Sequence, residues 1–306
     1  MLSVILRFAV YADLTILFGL SAFALYTRPT AGDEVGERPF AGRRALLPLI
    51  VIGLAASVAS LLQMAASMSG VSIAEVDPET LRLILFETSL GSAVLARVVA
   101  LLGAAILLGM SHTSSRRLDV VVNFTAAIAL GSLAWAGHGV MNEGWSGWVH
   151  LGADVAHLLA ASAWTGAILA LLLLVWRASR SRAGSIRAAY DALAGFSLTG
   201  TLIVGVVLVT GLVNTWMVVG ARNLLTLGDG LYGWLLMAKL LLFLVMLGLA
   251  SANRFRLTPA LLVAEEEPEK AIAALRTSIA LEAGAAIFIL ALVAWLGMLE
   301  PPAPMT

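Results

Sequence analysis

The chain has 306 residues with no cysteine, 60% of them hydrophobic and only 12% charged, and its 19 basic side chains are balanced by 19 acidic ones. That is about half the charge fraction of a soluble domain, and with a mean hydropathy of +0.95 it excludes an aqueous globular fold. The missing cysteines exclude disulfides, thiolate metal sites and thiol nucleophiles.

Apolar runs of about 18 residues or more, each able to cross roughly 30 Å of hydrocarbon, recur along the whole chain. The first, residues 3–26, is too long for the core of a cleavable signal and lacks a small-residue cleavage site. It reads as a transmembrane helix. Further spans are expected at 45–69, 89–110, 118–137, 149–176, 193–219, 231–252 and 279–299, giving a single all-α domain over 1–306. Residues 71–88 read as a short interfacial helix, with Asp77-Pro78-Glu79 offering a cap and a proline at the first helical position. Residues 265–278, "EEEPEKAIAALRTS", read as a charged lead-in to the last span. In the sixth span Gly200, Gly205 and Gly211 are spaced to let helices approach closely.

Lysines and arginines fix an orientation. Connections 1–2, 3–4, 5–6 and 7–8 hold four, two, four and four of them, while 2–3, 4–5 and 6–7 hold only Arg82, none and Arg222. The positive-inside rule places the first set in the cytoplasm and both termini outside. No connection reaches 30 residues, so there is no room for a soluble catalytic domain. No hydrolase or nucleotide motif is present, and no internal repeat supports an inverted-repeat transporter. The chain therefore reads as non-enzymatic, with the lipid bilayer as its partner and no role for nucleic acid.

Three of the four histidines fall in one stretch, "AGHGVMNEGWSGWVHLGADVAHLLAASAWTG", residues 136–166. His138 ends the fourth span, Met141 lies in the external loop, and His150, Asp154 and His157 occupy the outer half of the fifth. Spacings of i, i+4, i+7 put these last three within about 60° of one helical face. His150 and His157 are separated by about 10 Å along the axis, too far to clasp one ion unaided, so Asp154 is the natural partner of either. Arg7, Asp13, Arg97 and Lys239 also lie within spans. An ionisable group there costs about 2.5–3.5 kcal/mol and is usually paired or faces a wet cavity. These charges imply an outward-opening polar cavity or a structural charge network, for instance Asp154 with Arg97 or Lys239.

Met64 and Met68 form an i, i+4 pair at the outer end of the second span. Thioether and imidazole donors without thiolate suit Cu(I), or Cu(II) through nitrogen and oxygen. Trp135, Trp145, Trp148 and Trp216 read as an interfacial aromatic belt, and Trp164 as a packing contact.

An ordered set of short motifs follows: Thr88-x-x-Gly91 with Arg97 downstream, Gly137-His138, Asp154-x-x-His157, Trp164-x-Gly166, Thr210-Gly211-x-x-Asn214, Tyr232-Gly233-x-Leu235-x-x-x-Lys239 and Asn253-Arg254. Across residues 87–300, with a weaker echo in the first span, this resembles the copper-resistance protein D family of bacterial inner-membrane proteins. The resemblance implies copper handling at the inner membrane, with copper delivered by a separate periplasmic carrier of the CopC type. On this reading copper enters through Met64, Met68, Met141 and His138 and meets His150, Asp154 and His157. Two alternatives remain: a b-type haem electron-transfer protein ligated by His138 and His157, and an assembly factor that delivers copper without transporting it.

Overall fold

The computed structural model describes residues 1–26, 43–110, 115–136, 144–178, 184–220, 227–263 and 268–301. Their long helices are α1 (Leu2–Tyr26), α2 (Leu47–Ser69), α3 (Pro78–Glu87), α4 (Ser89–Met110) and α5 (Arg116–Gly131), which a 3-10 turn extends to Ala136. Then come α6 (Gly144–Ala178), α7 (Gly184–Val219) and α8 (Leu231–Ala252), continued by a π-helical turn (Asn253–Leu257) into α9 (Thr258–Val263), and finally α10 (Pro268–Leu296). No strand occurs among the described residues. Among the described residues, eight helices are long and apolar enough to cross a membrane. The chain is an all-α multi-pass membrane protein.

The third span matches its expected limits, and α8 matches the seventh, whereas α6 and α7 are 35 and 36 residues long. Backbone hydrogen bonds do not stop where hydrocarbon stops, so the polar flanks of these two spans stay helical. The expected lead-in at 265–278 likewise becomes the first turns of α10, beginning at Pro268.

The connection between α2 and α4 shows how local chemistry sets the path. Gly70 ends α2 in the left-handed region (φ 68°). Ser72 and Glu75 form a reciprocal capping box on a short 3-10 turn. Pro78 opens α3 as expected, but Asp77 makes no side-chain capping bond. Thr88 then turns the chain: its hydroxyl donates to the Ile84 carbonyl at 2.6 Å and accepts the Gly91 amide at 2.9 Å.

α1 is the hub and packs on α2, α5, α6 and α10. One apolar core joins α1 to α2, α4 and α5. A second joins Phe23 of α1 to α6, α8, α9 and α10. The closest approach is between Gly19 of α1 and Gly166 of α6, where a Cβ on either would strike the other backbone. This is the small-residue contact that lets membrane helices touch. The glycines expected to do this in α7 do otherwise: Gly205 faces open space, and Gly211 lies against the ring of His157. Hydroxyls and amides stitch the hub further, with Ser162 to Thr15 at 3.1 Å and Asn123 to Ser21 at 2.9 Å.

Candidate metal centre

α6 carries His150, Asp154 and His157 on one face, and α7 lies along α6. The Asn214 amide donates to Asp154 Oδ1 at 3.3 Å, and His157 Nδ1 pairs with Thr210 Oγ1 at 3.0 Å. Thr210 and Asn214 are four residues apart, so one turn of α7 faces one turn of α6. Gly211 leaves room for the imidazole: a Cβ there would sit 3.3 Å from His157 Cε1. Two sequence motifs, Asp154-x-x-His157 and Thr210-Gly211-x-x-Asn214, are thus the two sides of one contact.

Two cations act on this contact. Lys239 of α8 lies close enough to influence both Asp154 and His157, and Arg7 of α1 influences Asp154. Arg7 is held by the Gly297 and Ala136 carbonyls, each at 2.9 Å, and lies 5.6 Å from the Tyr11 ring centroid. These carbonyls end α10 and the extension of α5, where the helix dipole is negative. Arg7 therefore gathers three helix ends on the face where α1 begins. His150 is fully buried one turn before Asp154.

The other expected site residues lie elsewhere. His138 and Met141 fall outside the described residues. Met64 is half-buried and Met68 is 68% exposed, on a helix that packs on α1, α3 and α4. Arg97 is buried on α4, with Nε donating to Ser132 at 2.8 Å and Nη2 without a hydrogen bond. Asp13 is buried against Gly53 of α2, and neither of its carboxylate oxygens accepts a hydrogen bond. Among the charges expected to form a network, Arg7 and Lys239 thus act on Asp154, while Arg97 bonds Ser132 and Asp13 lies against Gly53. No group of three His, Asp or Glu among the described residues is placed to close on a metal. In the sequence the α7 residues Thr210 and Asn214 stand as motif members and, with Met246 and Glu282, as the few possible ligands below His157. Their spacing of four was the available signal for a shared face.

Two family models match the chain: "Copper resistance protein D-like, N-terminal domain" over residues 1–148 and "Copper resistance protein D" over 190–296. A protein named "Copper resistance protein D" from Pseudomonas syringae pv. tomato is 40% identical over 98% of this chain and 97% of its own length. The chain belongs to the copper resistance protein D family. The likeness read from residues 87–300 therefore extends through the N-terminal half. The "Inner membrane protein YebZ" of Escherichia coli (strain K12) is 27% identical, covering 83% of each chain. The "Copper transport protein CutJ" of Bacillus subtilis (strain 168) is 28% identical over 81% of this chain and 45% of its own. No solved structure gives a significant match. Residues 149–189, which carry the polar stripe of α6, lie between the two family models.

Proposed function

We propose that this protein binds copper at the α6–α7 contact and passes it across, or hands it on at, the bacterial inner membrane. One observation carries the reading: Asp154 and His157, on one face of α6, are both anchored by α7 side chains. Asn214 engages one carboxylate oxygen and Thr210 one ring nitrogen. Coordination then falls to Asp154 Oδ2 and His157 Nε2, with the ring orientation fixed, as ligating imidazoles require. His150, His138, Met141, Met64 and Met68 are the further donors proposed along the entry path. Imidazole, carboxylate and thioether together accept Cu(II) or Cu(I). Lys239 and Arg7 balance the Asp154 charge before the metal arrives.

The protein acts as one helical domain without catalysing a covalent reaction, and both termini lie on the periplasmic side. A periplasm-active reporter fused after Gly144 is expected to be active and one after Ser181 inactive; the reverse pattern would turn the copper entry to the cytoplasm. A separate periplasmic carrier of the CopC type supplies the copper.

The decisive experiment measures copper on purified protein and in cells, normalised to membrane protein level. Wild type binds copper and shows no Soret band, which would be the mark of haem. His157→Ala loses binding almost completely, and Asp154→Asn, which keeps an oxygen donor but removes its charge, weakens it partially. Normal accumulation in His157→Ala at normal expression would remove this site from the route.

A further inference from the structure

At the end of the bundle opposite the Asp154 contact, α8 passes into the π-helical turn Asn253–Leu257. Single π-turns inside long helices frequently mark functional sites. Asn253, Ser278, Glu282 and Trp164 are all more than nine-tenths buried there, at 7%, 8%, 4% and 4% exposure. Asn253 Nδ2 donates to Glu282 Oε2 at 3.0 Å, and the Trp164 indole lies beside the same carboxylate. Neither partner is charged. Asn253 Oδ1 and Ser278 Oγ make no hydrogen bond. Oδ1 belongs to the planar amide that already holds Glu282, and Ser278 precedes Glu282 by one turn of α10. One amide oxygen, on the Asn253 that bonds Glu282, and one hydroxyl on Ser278, a turn before Glu282 on α10, thus lie buried without donors near one negative charge, inside a core that includes Met246, Ile279, Ala283 and Ala286.

Buried oxygens without donors are destabilising next to a carboxylate unless something brings positive charge. The charged groups on the packed elements do not bring it. Arg254 turns to α7, bonding the Ser197 carbonyl at 3.2 Å and the Thr201 hydroxyl. Arg256 and Arg276 are exposed, and Lys239 lies two heptads along α8, beside Asp154. We propose that Glu282, Asn253 and Ser278 bind one monovalent hard cation, Na⁺ or a proton, whose uptake or release accompanies copper movement. A single carboxylate is neutralised by one positive charge, and an all-oxygen donor set selects a hard ion over Cu(I). A proton on Glu282 would find its acceptor in Asn253 Oδ1 or Ser278 Oγ. The link to copper rests on the function proposed above. Its physical carrier is α6, where Trp164 follows His157 by seven residues, about 10 Å down the same face.

The test uses full-length protein in neutral-lipid nanodiscs, with tryptophan fluorescence followed as NaCl replaces choline chloride at constant ionic strength, and separately as pH is varied. If the ion is Na⁺, wild type shows a saturable fluorescence change with NaCl; if a proton, it answers pH and ignores Na⁺. In either case the response disappears in Glu282→Gln and in Trp164→Phe, and Ser278→Ala moves its midpoint. A wild type that answers neither ion, or a Glu282→Gln protein that answers like wild type, overturns the proposal. Copper binding is read on the same samples. Glu282→Gln is expected to bind copper normally while accumulation in cells falls about tenfold, a usual size for coupling between sites. Undiminished accumulation would sever the cation site from copper movement. Wild-type protein that binds no copper, yet answers an ion through Glu282, would defeat the copper reading and leave the cation site standing.

Discussion

Asp13 and Asp154 are both carboxylates inside long apolar helices, and their surroundings are opposite. Asp154 accepts the Asn214 amide and lies in the field of Lys239 and Arg7. Asp13 is buried between α1 and α2 with no hydrogen bond to either oxygen. The nearest polar side chain on that stretch of α2, Ser57, turns to its own Gly53 carbonyl at 2.6 Å. A carboxylate with partners holds its neighbours in place, while one without them is tolerated for another reason. Replacement by the neutral amide of the same shape therefore has different consequences at the two sites.

The largest expected effect tests that difference directly. Asp154→Asn removes the negative charge that acts on Lys239 and weakens the bond from Asn214. Bonds to charged groups are worth about 1.5–3 kcal/mol, and thermal unfolding in detergent should show a loss of that order. Asp13→Asn removes a charge that nothing balances, so its melting temperature should equal or exceed that of wild type. Equal destabilisation by both substitutions would mean that Asp13 has a partner in the membrane after all.

A second effect concerns the crossing of α1 and α6, the helices that carry the two aspartates. Gly166→Ala places a methyl group against the Gly19 backbone. Overpacking of this kind typically costs about 1–3 kcal/mol, and here it also shifts the α6 stripe relative to α1. Gly205→Ala on α7 meets nothing within 4 Å and should leave stability unchanged. If the two alanines behaved alike, the Gly19–Gly166 approach would not be what fixes the α1–α6 crossing.

How much of this was legible beforehand follows from the physics of each feature. The eight spans were visible because hydrocarbon imposes one length and one composition on every crossing. The stripe on α6 was visible because helical periodicity alone sets which residues share a face. Its partners Thr210 and Asn214 were not assigned, since periodicity within α7 does not say which helix that face meets. The same ambiguity affects Met64 and Met68: their spacing gives a common edge of α2, while packing turns that helix toward α1, α3 and α4. Arg97, a conceivable counter-charge for Asp154 by depth, is directed instead to Ser132. Glu282 stood alone in an apolar run, and only the fold brings Asn253 from 29 positions away and Trp164 from α6 to its side.

The smallest expected effect uses a carboxylate outside the spans as a reference. Glu75 is exposed on the turn between α2 and α3 and accepts the Ser72 hydroxyl at 2.9 Å and the Ser72 amide at 3.2 Å. The hydroxyl bond first, and then the amide bond, hold its carboxyl below the ordinary value. Because the folded form binds its proton less readily than the unfolded form, Glu75 supports the turn above the unfolded value of about 4.3. That support is lost as pH falls through the lower folded value. Hydrogen exchange of the amides at residues 72–76, compared between wild type and Glu75→Gln at each pH, isolates the term. Wild type should be the better protected at neutral pH, and the advantage should vanish below about pH 4. A constant ratio across that range would mean that the capping box contributes nothing through its charge. Glu75 would then no longer serve as the solvated, donor-satisfied carboxylate against which Asp13 and Asp154 are compared.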